Sequence, residues 1–224
     1  HTAVHDPLSV VIDCLSQGFF TMTSWDIARL LWLLDPRAPD PSWTVNGQPV
    51  DRSFLSLSSR QYIMDILSEQ AFHDALSTPC VCGQPGVAAG IPSFEPSLWI
   101  SKGKQVIVEG TVMSQDVTPC NAAASVLFAH KTGLTNDFGS DVGVVTAFAS
   151  GSSSRVIPRH YIITALGNIG ERYTDAALAR ISGDPCAQFN VCYTQRLPGL
   201  GKQIDDFVTS WSQPIAHASS TSRS

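Results

Sequence analysis

Three apolar, β-rich runs stand close together in the chain, at residues 123–130 (AASVLFAH), 141–149 (DVGVVTAFA) and 159–166 (RHYIITAL). Runs of this length and composition read as strands. The turn-rich segment 133–140 between the first two leaves room for a hairpin, not for a parallel crossover, so the sheet should be antiparallel. Upstream the period is helical. Thr23 is placed to cap, Asp26 follows three residues later as in a capping box, and Ile27, Leu30, Leu31 and Leu34 recur at i, i+3, i+4, i+7. Asp35-Pro36 ends that helix. A loop is expected over 35–52, and a second helix over 58–75 with Tyr62, Ile63, Ile66 and Leu67 on one side. Residues 76–96 are rich in Pro and Gly and read as loop, and 104–112 (KQVIVEGTV) alternates as a strand. Helical patterns return at 174–181 and 203–211. The order predicts an α/β chain of the α+β sandwich kind, an antiparallel sheet covered by helices.

Composition narrows the setting. Hydrophobic residues make up 43% and charged residues 15%, where an average globular chain has about 25% charged. That excludes a solvated disordered polymer. A net charge of −5 gives no pull toward nucleic acid or anionic lipid, and no apolar run approaches the roughly 18 residues of a membrane span. Residue 1 is His with no signal-peptide pattern after it, so the N-terminus reads as a cleavage product or the start of an ordered region. Six cysteines, at 14, 80, 82, 120, 186 and 192, suit disulfides in an oxidising compartment, with buried free thiols as the alternative. Cys80-Val81-Cys82 has no neighbouring cluster to make a zinc site, and His1 with His5 lacks a third copper ligand. No metal or other cofactor is expected. The setting implied is secreted, periplasmic or extracellular.

Lys131-Thr132-Gly133 closes the first β-rich run, and a second strand follows it directly. With that placement the stretch resembles the third and fourth sheet strands of class A β-lactamases and related penicillin-recognising serine hydrolases, where Lys-Thr-Gly is one of three signature motifs. The likeness continues on both sides. Residues 20–31 (FTMTSWDIARLL) resemble the helix after the family's Ω-loop, 57–61 (LSSRQ) the next element, and Gly90-Ile91-Pro92 the segment ahead of the motif strand. Residues 160–166 resemble the last strand and 201–212 (GKQIDDFVTSWS) the C-terminal helix. Residues 1–20 would then be a lead-in, 21–215 the C-terminal part of the fold with insertions near 93–120 and 171–198, and 216–224 a flexible tail. The front of the fold falls outside this alignment. The strand at 159–166 would therefore be an open apolar edge, which needs the chain's own N-terminal fragment or a second chain to complete the sheet.

The chemistry of the motif can be stated residue by residue. Lys131 supplies a fixed positive charge for a nucleophile and a substrate carboxylate, and the Thr132 hydroxyl can bond the same carboxylate. Gly133 keeps the strand edge open for a small-molecule or peptide substrate. The Leu134 N–H would be half of an oxyanion hole. The bland reading is a strand end with a solvated Lys. His130, on the opposite face from Lys131 of an alternating strand, reads as a packed residue. The other two motifs are not here: Ser-Asp-Asn is absent, no Glu precedes Thr23, and the single Ser-x-x-Lys, at 101–104, falls in an expected turn. Two functions therefore compete, a β-lactamase-like serine acyl hydrolase whose nucleophile lies elsewhere and a non-catalytic structural or binding module. A sugar-binding module resting on Trp43 and Trp99 is the weakest of the three.

Overall fold

The structure, a computed structural model, describes residues 10–12, 18–20, 22–70, 75–79, 88–101, 104–108, 110–112, 114, 116–134, 138–148, 159–167 and 193–211. Its elements in chain order are β1 (Val10–Ile12), β2 (Gly18–Phe20), α1 (Ser24–Leu34), β3 (Thr44–Val45), β4 (Gln48–Pro49) and α2 (Leu57–Ser68). A 3-10 turn (Ser97–Trp99) leads into β5 (Ile100–Ser101), β6 (Gln105–Val108), β7 (Thr111–Val112) and α3 (Thr118–Ala123). Then come β8 (Val126–Leu134), β9 (Gly139–Ala147), β10 (His160–Gly167) and a last helix, α4 (Tyr193–Trp211).

The expected central sheet is present. β9 lies between β8 and β10, antiparallel to both, with Ala129 opposite Val144 and Ile162 opposite Val144 on the other side. Alternation sorts its side chains to two faces. Ala129, Val142, Val144 and Ile162 meet Ile27, Leu31 and Leu34 of α1 and Ile63, Met64 and Leu67 of α2. Val126, Phe128, Val145 and Ile163 meet Ala75, Leu76, Ile91 and, from α4, Leu197 and Ile204. Burying a side chain such as Phe128 or Ile91 contributes about 1.5–3 kcal/mol. The chain is thus a mixed α+β fold with helices on both faces of an antiparallel sheet.

Several local expectations change. The lead-in holds the β1–β2 hairpin, and the 35–52 loop holds the β3–β4 hairpin turning on Asn46-Gly47, both at positive φ. The run 104–112 is a hairpin, β6 against β7, not one strand. On α1, Leu30 faces solvent; on α2, Tyr62 and Ile66 do, and the buried residue is Met64. α2 ends at Ser68, short of the expected 75. α4 starts at Tyr193, inside the segment read as an insertion, and carries Pro198. Gly201 lets α4 seat on the backbone of Leu76, since a Cβ there would come 2.2 Å from the Leu76 carbonyl oxygen. The helical pattern at 174–181, Cys14, Cys80, Cys82, Cys186, Cys192 and the tail lie outside the described residues. Cys120, the only cysteine among the described residues, is disulfide-bonded.

Candidate functional site

β8 runs through the Lys-Thr-Gly triplet instead of ending before it, so the motif is paired strand: Lys131 faces Val142, Thr132 faces Asp141 and Gly133 faces Ser140. Successive side chains therefore point apart. Lys131 is exposed and its Nζ donates to the carbonyl of Thr132. Thr132 is buried, and its hydroxyl oxygen accepts from Gln70 Nε2 at 2.6 Å. Gly133 is exposed, and its carbonyl accepts from the Ser140 hydroxyl at 3.0 Å. Leu134 is partly buried and packs at the margin of the core that Phe128 and Leu76 share. The strand brings the four residues together in sequence order, but the Lys131 amine and the Thr132 hydroxyl do not converge on one point.

His130 is a packed residue, as the alternation predicts. It is fully buried, stacks on Phe128 at 4.1 Å between ring centroids, and its Nδ1 lies 2.7 Å from Asp141 Oδ1. The other Asp141 oxygen accepts the Leu76 N–H at 3.0 Å. Two hydrogen bonds thus satisfy a carboxylate that burial would otherwise penalise. Gly143, opposite His130, makes the room: a Cβ there would fall 2.5 Å from the His130 Cβ. The pair stitches β8 to β9 and to the segment around Leu76, immediately beside Lys131.

A second cluster sits at the far edge of the sheet. His160 Nε2 lies 2.6 Å from Asp35 Oδ2, and its Nδ1 lies 2.9 Å from the Thr146 hydroxyl. Asp35 caps the C-terminal end of α1, and its Oδ1 accepts the Arg37 N–H at 2.9 Å. Burial works to raise the Asp35 carboxyl, but the His160 and Arg37 hydrogen bonds outweigh it and hold the group below its ordinary range. The order hydroxyl, imidazole, carboxylate is that of a nucleophile relay. Thr146 is only 9% exposed, however, and no substrate carbonyl could reach it. On the opposite face Arg159 Nε and the Tyr161 hydroxyl both meet Asp205 Oδ1 at 2.9 Å, tying β10 to α4.

Ser101 closes β5, and the Lys104 N–H donates to its carbonyl at 3.3 Å. The ends of the Ser-x-x-Lys match thus lie at the end of β5 and just before β6, with Lys104 ion-paired to Asp116 and exposed, and not in a buried helix start; residues 102 and 103 lie outside the described residues. Among the described residues no group of three His, Cys, Asp or Glu side chains could hold a metal ion. No described helix is long and apolar enough to cross a membrane. Sequence reasoning passed over Gln70, Asp141, Asp35 and His160. Asp141 was the most accessible of these, opening the strand after the motif, whereas nothing local links Asp35 to His160. No family model, curated protein or solved structure matches the chain.

Proposed function

We propose that this chain supplies the Lys-Thr-Gly strand of a β-lactamase-like serine acyl hydrolase. Its nucleophile would be carried by polypeptide outside residues 1–224 or by a second chain. One observation carries the reading. The triplet lies on the outer strand of an antiparallel sheet ordered β10-β9-β8, with helices on both faces, in the arrangement expected from the resemblance. In this reading a serine oxygen attacks an amide, ester or β-lactam carbonyl, the C–N or C–O bond breaks as the departing amine or alcohol takes up the serine proton (in a β-lactam the amine stays tethered), and water then cleaves the acyl–serine ester to give the acid and the free serine. Lys131 holds the substrate carboxylate, and the Leu134 N–H donates to the oxygen on which charge develops. The enzyme works outside the reducing cytosol, a setting that the disulfide at Cys120 supports.

The runner-up, a non-catalytic descendant used as a binding or structural module, draws on the inward Thr132 hydroxyl and the Lys131 amine folded onto its own strand. Labelling of the full-length gene product with a fluorescent penicillin separates the two. The hydrolase should be labelled covalently, and Lys131→Ala should cut the labelling rate by about a hundredfold or more with little change in stability, because the side chain is exposed. Unchanged labelling of that variant would make Lys131 a spectator. No labelling of the unaltered protein by penicillins or by acylating esters would favour the module.

A further inference from the structure

Beside the Asp35–His160 pair the structure opens a cleft of about 710 Å³, on the opposite edge of the sheet from the Lys131 strand. We propose that it binds a small aromatic carboxylate. The volume suits a drug-sized molecule. Its lining includes Trp25, Arg29 and Trp32 of α1, and Arg37 and Trp43 from the segment after the helix. His160 stands where β10 begins.

These residues are not required by the core. α1 presses Ile27, Leu31 and Leu34 on the sheet, which leaves the Trp25–Arg29–Trp32 face turned away, with Trp25 65% exposed. The indoles are nevertheless organised. Trp32 meets Trp43 edge to face at 6.0 Å, and Trp32 Nε1 donates to the Pro39 carbonyl at 2.8 Å. Arg52 ties the same loop down through the carbonyls of Asp35, Ala38 and Pro39. The Arg29 guanidinium lies over two rings, 5.2 Å from the Trp25 centroid and 5.7 Å from that of Trp43. Its Nε is buried and has no hydrogen-bond partner among the described residues.

Charge selects the ligand class. Among the described residues Asp35 is the only carboxylate in the lining, and both its oxygens are committed, one to His160 and one to the Arg37 N–H. What the cleft offers is two guanidinium cations beside the indoles of Trp25, Trp32 and Trp43. A planar ring stacks on the indoles, and its carboxylate accepts from the Arg29 fork, an interaction strengthened where water is partly excluded. A neutral sugar would call on carboxylate acceptors, and the one acidic side chain among the described lining residues is already used.

Calorimetric titration of the full-length protein with 2-naphthoate, with 2-naphthamide as the uncharged control, tests this. The expected result is saturable binding of one naphthoate per chain with Kd between about 10 µM and 1 mM, the amide being weaker by about tenfold or more. Arg29→Met should weaken naphthoate by about tenfold. Arg37→Met provides the second charge variant, since the hydrogen bond to Asp35 comes from the Arg37 backbone N–H, which the substitution keeps. Equal affinity for acid and amide, unchanged binding in both Arg variants, or no saturation at millimolar naphthoate would each overturn the proposal. So would Trp25 and Trp43 shielded from acrylamide quenching in the ligand-free full-length protein, which would mean that polypeptide fills the cleft.

Discussion

Asp35 and His160 are 125 positions apart in the chain and 2.6 Å apart in the fold. The contact makes stability depend on acid in a definite direction. The Asp35 carboxyl is held below its ordinary 3.8, so the folded chain releases this proton more readily than the unfolded one does. The stabilisation is therefore complete above pH 3.8 and is lost as pH falls through the lower folded value. Asp205 acts in the opposite sense: burial outweighs Tyr161 and Arg159 and raises it, so its ionisation opposes folding as pH climbs past 3.8. Asp35→Asn should thus cost about 1–3 kcal/mol at pH 6 and progressively less below pH 4, read from urea unfolding. A gap that stays constant from pH 6 to pH 3 would remove the carboxylate from the account. At this scale the sequence was legible only in part. Alternation along one strand put His130 inside, but neither Asp141 nor His160 could be assigned a partner from spacing, because those contacts cross between strands and between ends of the chain.

Helix α1 is the element that the sequence specified best. Its capping box forms as the residues predict: Thr23 Oγ1 accepts the Asp26 N–H at 3.2 Å, and Asp26 Oδ2 accepts the Thr23 N–H at 2.9 Å. Thr23→Ala should destabilise the chain by about 1 kcal/mol and lower the melting temperature by about 2–4 °C, while Thr23→Ser stays near the parent. Equal loss in both variants would place the effect outside the cap. Neighbouring elements were harder to read. The second helix has apolar residues on more than one side, and only packing under β8 decides that Met64 is buried and Ile66 is not. The Asn46-Gly47 pair carried a hairpin signal that went unused, hidden in a loop rich in proline. Pro198, Gly199 and Gly201 are poor helix formers, yet the helix runs through them because α4 seats closely on Leu76.

At the scale of the whole molecule the three-stranded sheet has two outer strands. β9 is paired on both sides, whereas among the described residues β8 meets only an isolated bridge from Ser93 to Val126 on its outer side, and no strand joins the outer side of β10. An apolar strand left open in this way invites another. Protein purified without denaturant should therefore run above the 24.1 kDa of this chain, carrying a tightly held companion polypeptide or a second copy. A single 24.1 kDa species in native mass spectrometry would sink that expectation. By itself the sequence determined the three strands of the central sheet, their antiparallel succession and the α1 cap, because each depends on periods and turn residues within a few positions. Which helix face is buried, how Lys131 and Thr132 diverge on a continuous strand, and that Asp35 meets His160 beside an aromatic cleft were decided only by the tertiary structure. Those outcomes depend on which surfaces come together across more than a hundred residues, and local propensity carries no record of that.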